Sequence, residues 1–257
     1  VWPPHAEETT LMLVSADSPL RRVRNDIPVT TVFFLDGCRY AIEMTDLAFR
    51  RLEATIAAFD SRPDALGPQI VCAISDAWVI VDSVHRLREL VQHFPGLKKR
   101  EPEVQIFLRS TKELDDLRNF VQHFRTEITR FAERRMPLWG TLSWSHADGE
   151  PTTHTIIPGT FYSDVGVASC VFDSQEGRFT EQMVLHAGPR RVELVEVFTA
   201  VKRFFAWFEE WCKATHSSSD ARHGADAHIV FTVLRVERPA PDRTSPAEPP
   251  APGGLVV

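Results

Sequence analysis

The most constraining feature of this 257-residue chain is that the spacing of its apolar residues changes period twice, at Pro137 and again at Pro189. Before Pro137 apolar residues recur every three or four positions, the repeat of a helix with one buried face. Between 138 and 187 the repeat shortens to two, with Asp148-Gly149, Pro158-Gly159 and Gln175-Glu176-Gly177 as turn punctuation. After Pro189 the helical repeat returns, carrying Leu194, Phe198, Val201, Phe205, Phe208 and Trp211 on one aromatic face. A chain so patterned is α+β: a four-helix bundle-like core with an antiparallel β-meander inserted before the last long helix.

The helices are expected at 46–59, 69–94, 103–135 and 190–214, with the meander at 138–187. Thr45 or Asp46 supplies a cap for the first, which turns Leu47, Leu52, Ile56 and Phe59 inward. Ahead of it, Thr31 to Leu35 and the alternating Cys38, Tyr40, Ile42 and Met44 flank Asp36-Gly37, the composition of a two-residue hairpin turn. Pro68 opens the second helix and Pro95-Gly96 stops it; Ile70, Ile74, Ala77, Val81, Val84 and Val91 share its inner face. The third carries an apolar stripe from Val104 to Phe131, and Ser110-Thr111-Lys112-Glu113 has the spacing of a capping box at which it would break and restart. Leu11–Val14 reads as an edge strand, Ser15–Asp26 as a polar loop and Ile229–Val236 as a last strand. Residues 1–238 then make a single domain, and the proline-rich segment 239–257 a disordered tail.

Composition narrows the function classes. An apolar content of 43% suits a globular core, while no stretch approaches the ~18 apolar residues of a membrane helix and the first residues lack the basic region and apolar block expected of a secretory signal. Cys38, Cys72, Cys170 and Cys212 are scattered without a Cys-x-x-Cys pair, which argues against a zinc ribbon or disulfide framework and for a reducing cytoplasm. The net charge is −6, yet residues 86–135 hold 12 Lys and Arg against 8 Asp and Glu, either a polyanion footprint or the mixed charged faces of long helices.

Phosphate-binding Gly-x-x-x-x-Gly-Lys, Gly-x-Gly-x-x-Gly, Gly-x-Ser-x-Gly and His-Glu-x-x-His are all missing. His85, Glu89 and His93 share one helix face, as do Asn119, His123 and Glu127, but neither set has the spacing of a recognised metal site. No cofactor or metal is expected. What remains is Arg118-Asn119-Phe120-Val121-Gln122-His123, an arginine followed by a polar residue and, five positions on, a histidine. An echo of it, Arg88-Glu89-Leu90-Val91-Gln92-His93, lacks the neutral polar residue after arginine.

The motif at 118–123 resembles the signature of the HEPN domains, helical bundles that include many metal-independent endoribonucleases of defence and toxin systems as well as members that only bind RNA or nucleotides. The resemblance implies an RNA-directed protein that works as a homodimer, with two copies of the motif facing one another. It further implies His123 as general acid or base, Arg118 stabilising the phosphorane and Asn119 orienting them or the phosphate. Imidazole moves protons near neutral pH and a planar guanidinium spreads charge over phosphoryl oxygens, so the residue types fit the chemistry. On a helix Asn119 and His123 lie about 40° apart, whereas Arg118 is about 140° from His123, so one copy makes an open fork. The alternative reading is a non-enzymatic helical interaction or dimerisation module that binds a protein partner through the aromatic helix 192–211.

Overall fold

The computed structural model describes residues 13–23, 26–61, 66–145, 152–159 and 169–216. Helices α1 (Val29–Ser61), α2 (Leu66–His93), α3 (Pro102–Ser110), α4 (Glu113–Gln122) and α5 (Phe124–Glu133) come first. Strands β1 (Thr141–Ser145), β2 (Thr153–Ile156), β3 (Phe172–Asp173), β4 (Arg178–Phe179), β5 (Met183–Ala187) and β6 (Arg190–Glu193) follow, and α6 (Leu194–His216) closes the described region. The α+β class and the antiparallel sheet placed before the last long helix are as the change of period indicates. The expected strands at Ile229–Val236 and the tail 239–257 lie outside the described residues, as does Asp148-Gly149.

The largest departure is at 30–44, which is helix and not hairpin. α1 begins just after Pro28, whose carbonyl accepts the Thr31 amide at 2.8 Å. Cys38 and Ile42 are buried while Tyr40 and Met44 are exposed. Each pair is four apart, so two helical faces offset by two residues imitate the alternation of a strand. Gly37 has no positive φ and serves close packing: a Cβ there would stand 3.0 Å from Leu90 Cδ1 of α2. Thr45 and Asp46 are mid-helix rather than capping residues, with Thr45 Oγ1 donating to Ala41 O at 2.8 Å and Asp46 accepting from the Leu13 amide at 2.9 Å. Leu47, expected inside, is 43% exposed. Leu13 and Val14 lie in a bend and not in a strand.

α1 and α2 run antiparallel, since Gly37 meets Leu90 and Arg51 meets Asp76 at 2.5 Å. The expected third helix is three. It breaks at Thr111, as anticipated, but no capping box forms: Thr111 Oγ1 bonds back to Phe107 O at 2.7 Å, and the cap of α4 makes no side-chain hydrogen bond. It breaks again at His123 (φ −106°, ψ 21°), where α4 ends and α5 begins.

The sheet has the order β2-β1-β5-β6, every neighbour antiparallel, with β3 and β4 forming a separate two-stranded ribbon. It is therefore two hairpins joined edge to edge and not a sequential meander. β6 occupies the first residues of the expected helix, because Gly188 (φ 63°) and Pro189 make the β5–β6 turn. Glu193 then stops the strand and starts α6: its carboxylate accepts the Met183 amide at 2.9 Å and the Glu196 amide. The aromatic face of α6 is core. Phe204, Phe205 and Phe208 are buried, Phe107 stacks on Phe204 at 4.5 Å, and Phe94 meets Phe208 edge-on at 5.4 Å. Each such pair adds about 1 kcal/mol to area burial. Those side chains are thus engaged within the chain, while Trp207 and Trp211 of the same helix stay partly exposed.

Candidate functional site

The arginine–histidine motif is divided by the break between α4 and α5. Arg118 and Asn119 lie in α4 and His123 is its C-cap residue, so the motif is not mid-helix. Phe120, between them, is buried and ties α4 to Trp78 of α2 at 6.4 Å and to Phe131 at 4.9 Å. With Phe120 inward, Asn119 and His123 are thrown outward: both are exposed, and neither side chain makes a hydrogen bond among the described residues. Arg118 points elsewhere. Its side chain is 23% exposed and its Nε stands 3.7 Å from Asp82 Oδ1. The trio does not converge within one chain.

The echo motif has a different fate. Arg88 is 5% exposed and spans three elements. Its Nη1 donates to Leu108 O at 2.5 Å and to Thr111 Oγ1 at 2.7 Å, while Nε and Nη2 grip both oxygens of Asp115. His85 Nδ1 lies 3.0 Å from the same carboxylate. Burial raises the Asp115 carboxyl, but the hydrogen bonds from Arg88 and His85 outweigh it and hold the group below its ordinary value. This network fastens the α3–α4 break onto α2, so Arg88 and His85 belong to the architecture. His93 Nδ1 is engaged by Glu89 O at 2.8 Å. Among the described residues no three His, Cys, Asp or Glu side chains gather as a metal would require.

Arg118 lines a groove of about 570 Å³ between α2 and α4. Its walls are Met44, Ile70, Val71, Ile74, Trp78, Val79, Val121 and Trp139, and its charged residues are Arg118 and Asp82. Trp78 Nε1 donates to Trp139 O at 3.1 Å, and Trp139 packs edge-on against Phe124 at 4.9 Å, so the two indoles are held in place. Val71 is 68% exposed and Trp139 48%. From Ile70 to Ser83 the groove follows α2 for roughly 20 Å at 1.5 Å per residue. Volume and apolar lining with few polar groups are those of a binding cleft.

Asp82 is already held by Arg86 at 2.7 Å. Arg118 therefore keeps most of its five donors unused beside an apolar wall, the position of a cation waiting for an anion. Asn119 and His123 are not among the residues that line this groove. Sequence reasoning missed Met44, Val71, Trp78 and Trp139; the available signal was that Val71 falls outside the inward stripe of α2. Three of the four thiols are buried, and burial pushes Cys38 and Cys170 up, and Cys212 up to about 12; Cys72 is exposed. No protein-family model, curated protein or solved structure matches the chain, so the site is read from its own geometry.

Proposed function

We propose that this chain is a non-enzymatic protein-interaction module, acting in the cytoplasm, whose groove along α2 takes an apolar partner segment that presents a carboxylate to Arg118. The observation that carries the reading is the pairing of a 570 Å³ apolar groove with a half-buried arginine whose ion pair to Asp82 is 3.7 Å long. An apolar segment would cover Val71 and Trp139, and an Asp or Glu side chain would give Arg118 the bidentate partner that Asp82 does not. No helix among the described residues is long and apolar enough to cross a membrane, and the described cysteines are all unpaired.

The test is selection from a displayed library of random 16-residue peptides against the full chain. Apolar peptides with one recurring acidic residue are expected, losing at least about tenfold in affinity on Arg118→Ala and on Val71→Asp. Selected peptides indifferent to both changes would overturn the reading.

A second reading, an HEPN-like RNA-directed protein with metal-independent endoribonuclease activity, is favoured by one observation: Asn119 and His123 stand exposed with unengaged side chains in the basic segment. Arg118 lines the α2 groove and His123 does not, so a second copy would have to supply the missing cation. Cleavage of single-stranded RNA in EDTA to cyclic phosphate ends, abolished by His123→Ala, would establish it.

A further inference from the structure

On α1 the solvent face is apolar. Val29 is 69% exposed, Phe33 71%, Tyr40 46%, Met44 46% and Leu47 43%. At 100° per residue these five fall within an arc of about 60°, opposite the buried Leu35, Ile42 and Phe49, and they run for roughly 27 Å along the helix. Spacings of four, seven, four and three are those of a coiled-coil seam rather than of scattered surface residues. A helix buried on one side by its own fold and apolar on the other has a second partner to satisfy.

We propose that this seam joins two copies of the chain, α1 against α1′, antiparallel about a twofold axis that passes Tyr40. The central part of the seam, Phe33, Tyr40 and Leu47, is symmetric about that residue, while Val29 falls opposite Arg51 of the other copy. Phe33 lies seven positions before it and Leu47 seven after, so each Phe33 meets a Leu47′ and the two Tyr40 rings meet one another. That equality is what an isologous contact requires, because every pairing must occur twice. Met44, four positions after Tyr40, falls opposite Asp36 and Gly37 of the other copy. There a hollow of about 560 Å³ opens over Gly37 and Leu90, and an unbranched thioether is suited to fill it.

Area supports a second copy over a small ligand. The five side chains leave on the order of 500 Å² exposed, and with a polar rim they approach the ~800 Å² per partner of a standard interface. Each chain carries a net charge of −6, so two copies repel at long range and the apolar seam must supply the attraction. The dimer is therefore expected to tighten as salt rises, the reverse of a contact built on ion pairs.

Met44 borders both this seam and the α2 groove, but the substitutions that test the seam fall at Phe33, Tyr40 and Leu47, which do not line the groove. Sedimentation of the full chain should show a monomer–dimer equilibrium below about 100 μM, favoured by salt. Phe33→Asp and Leu47→Asp should each weaken it at least tenfold while the helical circular dichroism and Tm stay unchanged, since both side chains are exposed. In a Cys72→Ser background, Tyr40→Cys should link to itself on mild oxidation. Phe33→Cys alone should not, because its partner copy would lie roughly 21 Å away along the axis, whereas Phe33→Cys mixed with Leu47→Cys should link. A chain that stays monomeric overturns the proposal and leaves the seam to a different protein. So does a dimer that survives both aspartates, and self-linking of Phe33→Cys overturns the antiparallel arrangement. Neither aspartate should alter peptide capture through Arg118, so the two readings fail separately.

Discussion

Arg88 and Asp115 are joined by two charge-assisted hydrogen bonds, Nε to Oδ1 at 3.1 Å and Nη2 to Oδ2 at 2.6 Å, across the contact between α2 and α4. Arg88 also satisfies the Leu108 carbonyl at the end of α3, a group that would otherwise be left over where the helix stops. One side chain thus holds the break that separates α3 from α4.

Arg88→Ala is accordingly expected to cost about 3 kcal/mol, because it strips the Leu108 carbonyl of its Arg88 bond and leaves the Asp115 carboxylate to His85 alone. Arg88→Lys should recover little, since an ammonium cannot span Leu108, Thr111 and Asp115 together. Urea denaturation measures both. Asp115 is held below its ordinary value by Arg88 and His85, so its contribution is full above the unfolded carboxylate pKa of about 4 and is lost as pH falls through the folded value. Asp115→Asn should therefore destabilise at pH 7 and converge on the unmodified chain in acid.

His186 predicts a different pH dependence. Burial lowers its pKa, the Arg191 charge lowers it further, and its Nε2 is buried without a partner. The folded state resists the proton that the unfolded state accepts from about pH 6.5 downward. Stability is expected to be lost as pH falls from 6.5 toward the folded-state value. Relative to the unmodified chain, His186→Gln should become steadily more favourable over that window; a pH-independent difference in chemical denaturation would refute the assignment.

Gly140 is irreplaceable for two separate reasons. Its φ is +78°, in the left-handed region, and a Cβ there would lie 2.0 Å from the His186 carbonyl oxygen. That atom is backbone in β5 and cannot step aside, so Gly140→Ala should lose at least about 3 kcal/mol. Gly37 is a milder case, because its neighbour is the flexible end of Leu90. Gly37→Ala should be tolerated where Gly37→Val is not, and thermal melts of the three variants give the order.

Arg118, Asn119 and His123 should each accept alanine with less than about 1 kcal/mol lost, since none closes a buried network. Arg118→Ala and His123→Ala then separate the two functional readings. Loss of peptide capture with Arg118 alone supports the groove, while joint loss of EDTA-resistant RNA cleavage supports the nuclease. Arg88→Ala is unsuited as a neutral control in either assay, because it removes the α2–α4 fastening.

The order of residues is enough to locate where one kind of element yields to another and which stripe of α2 and α6 turns inward, because burial on one face writes its period directly into that order. Ile74, Ala77, Val81, Val84 and Val91 are buried as that period requires, and so are Val201, Phe205 and Phe208. It could not distinguish a strand from a helix with two apolar faces at 38–44, since both place apolar residues at every second position there. Nor could it tell Arg88 from Arg118. The two lie in near-identical local contexts, and only the docking of α4 on α2 put Asp115, Thr111 and Leu108 around one and left the other beside an apolar groove. A side chain's spacing is local, whereas its partners are chosen by packing between elements distant in sequence, and that choice separates a structural arginine from a binding one.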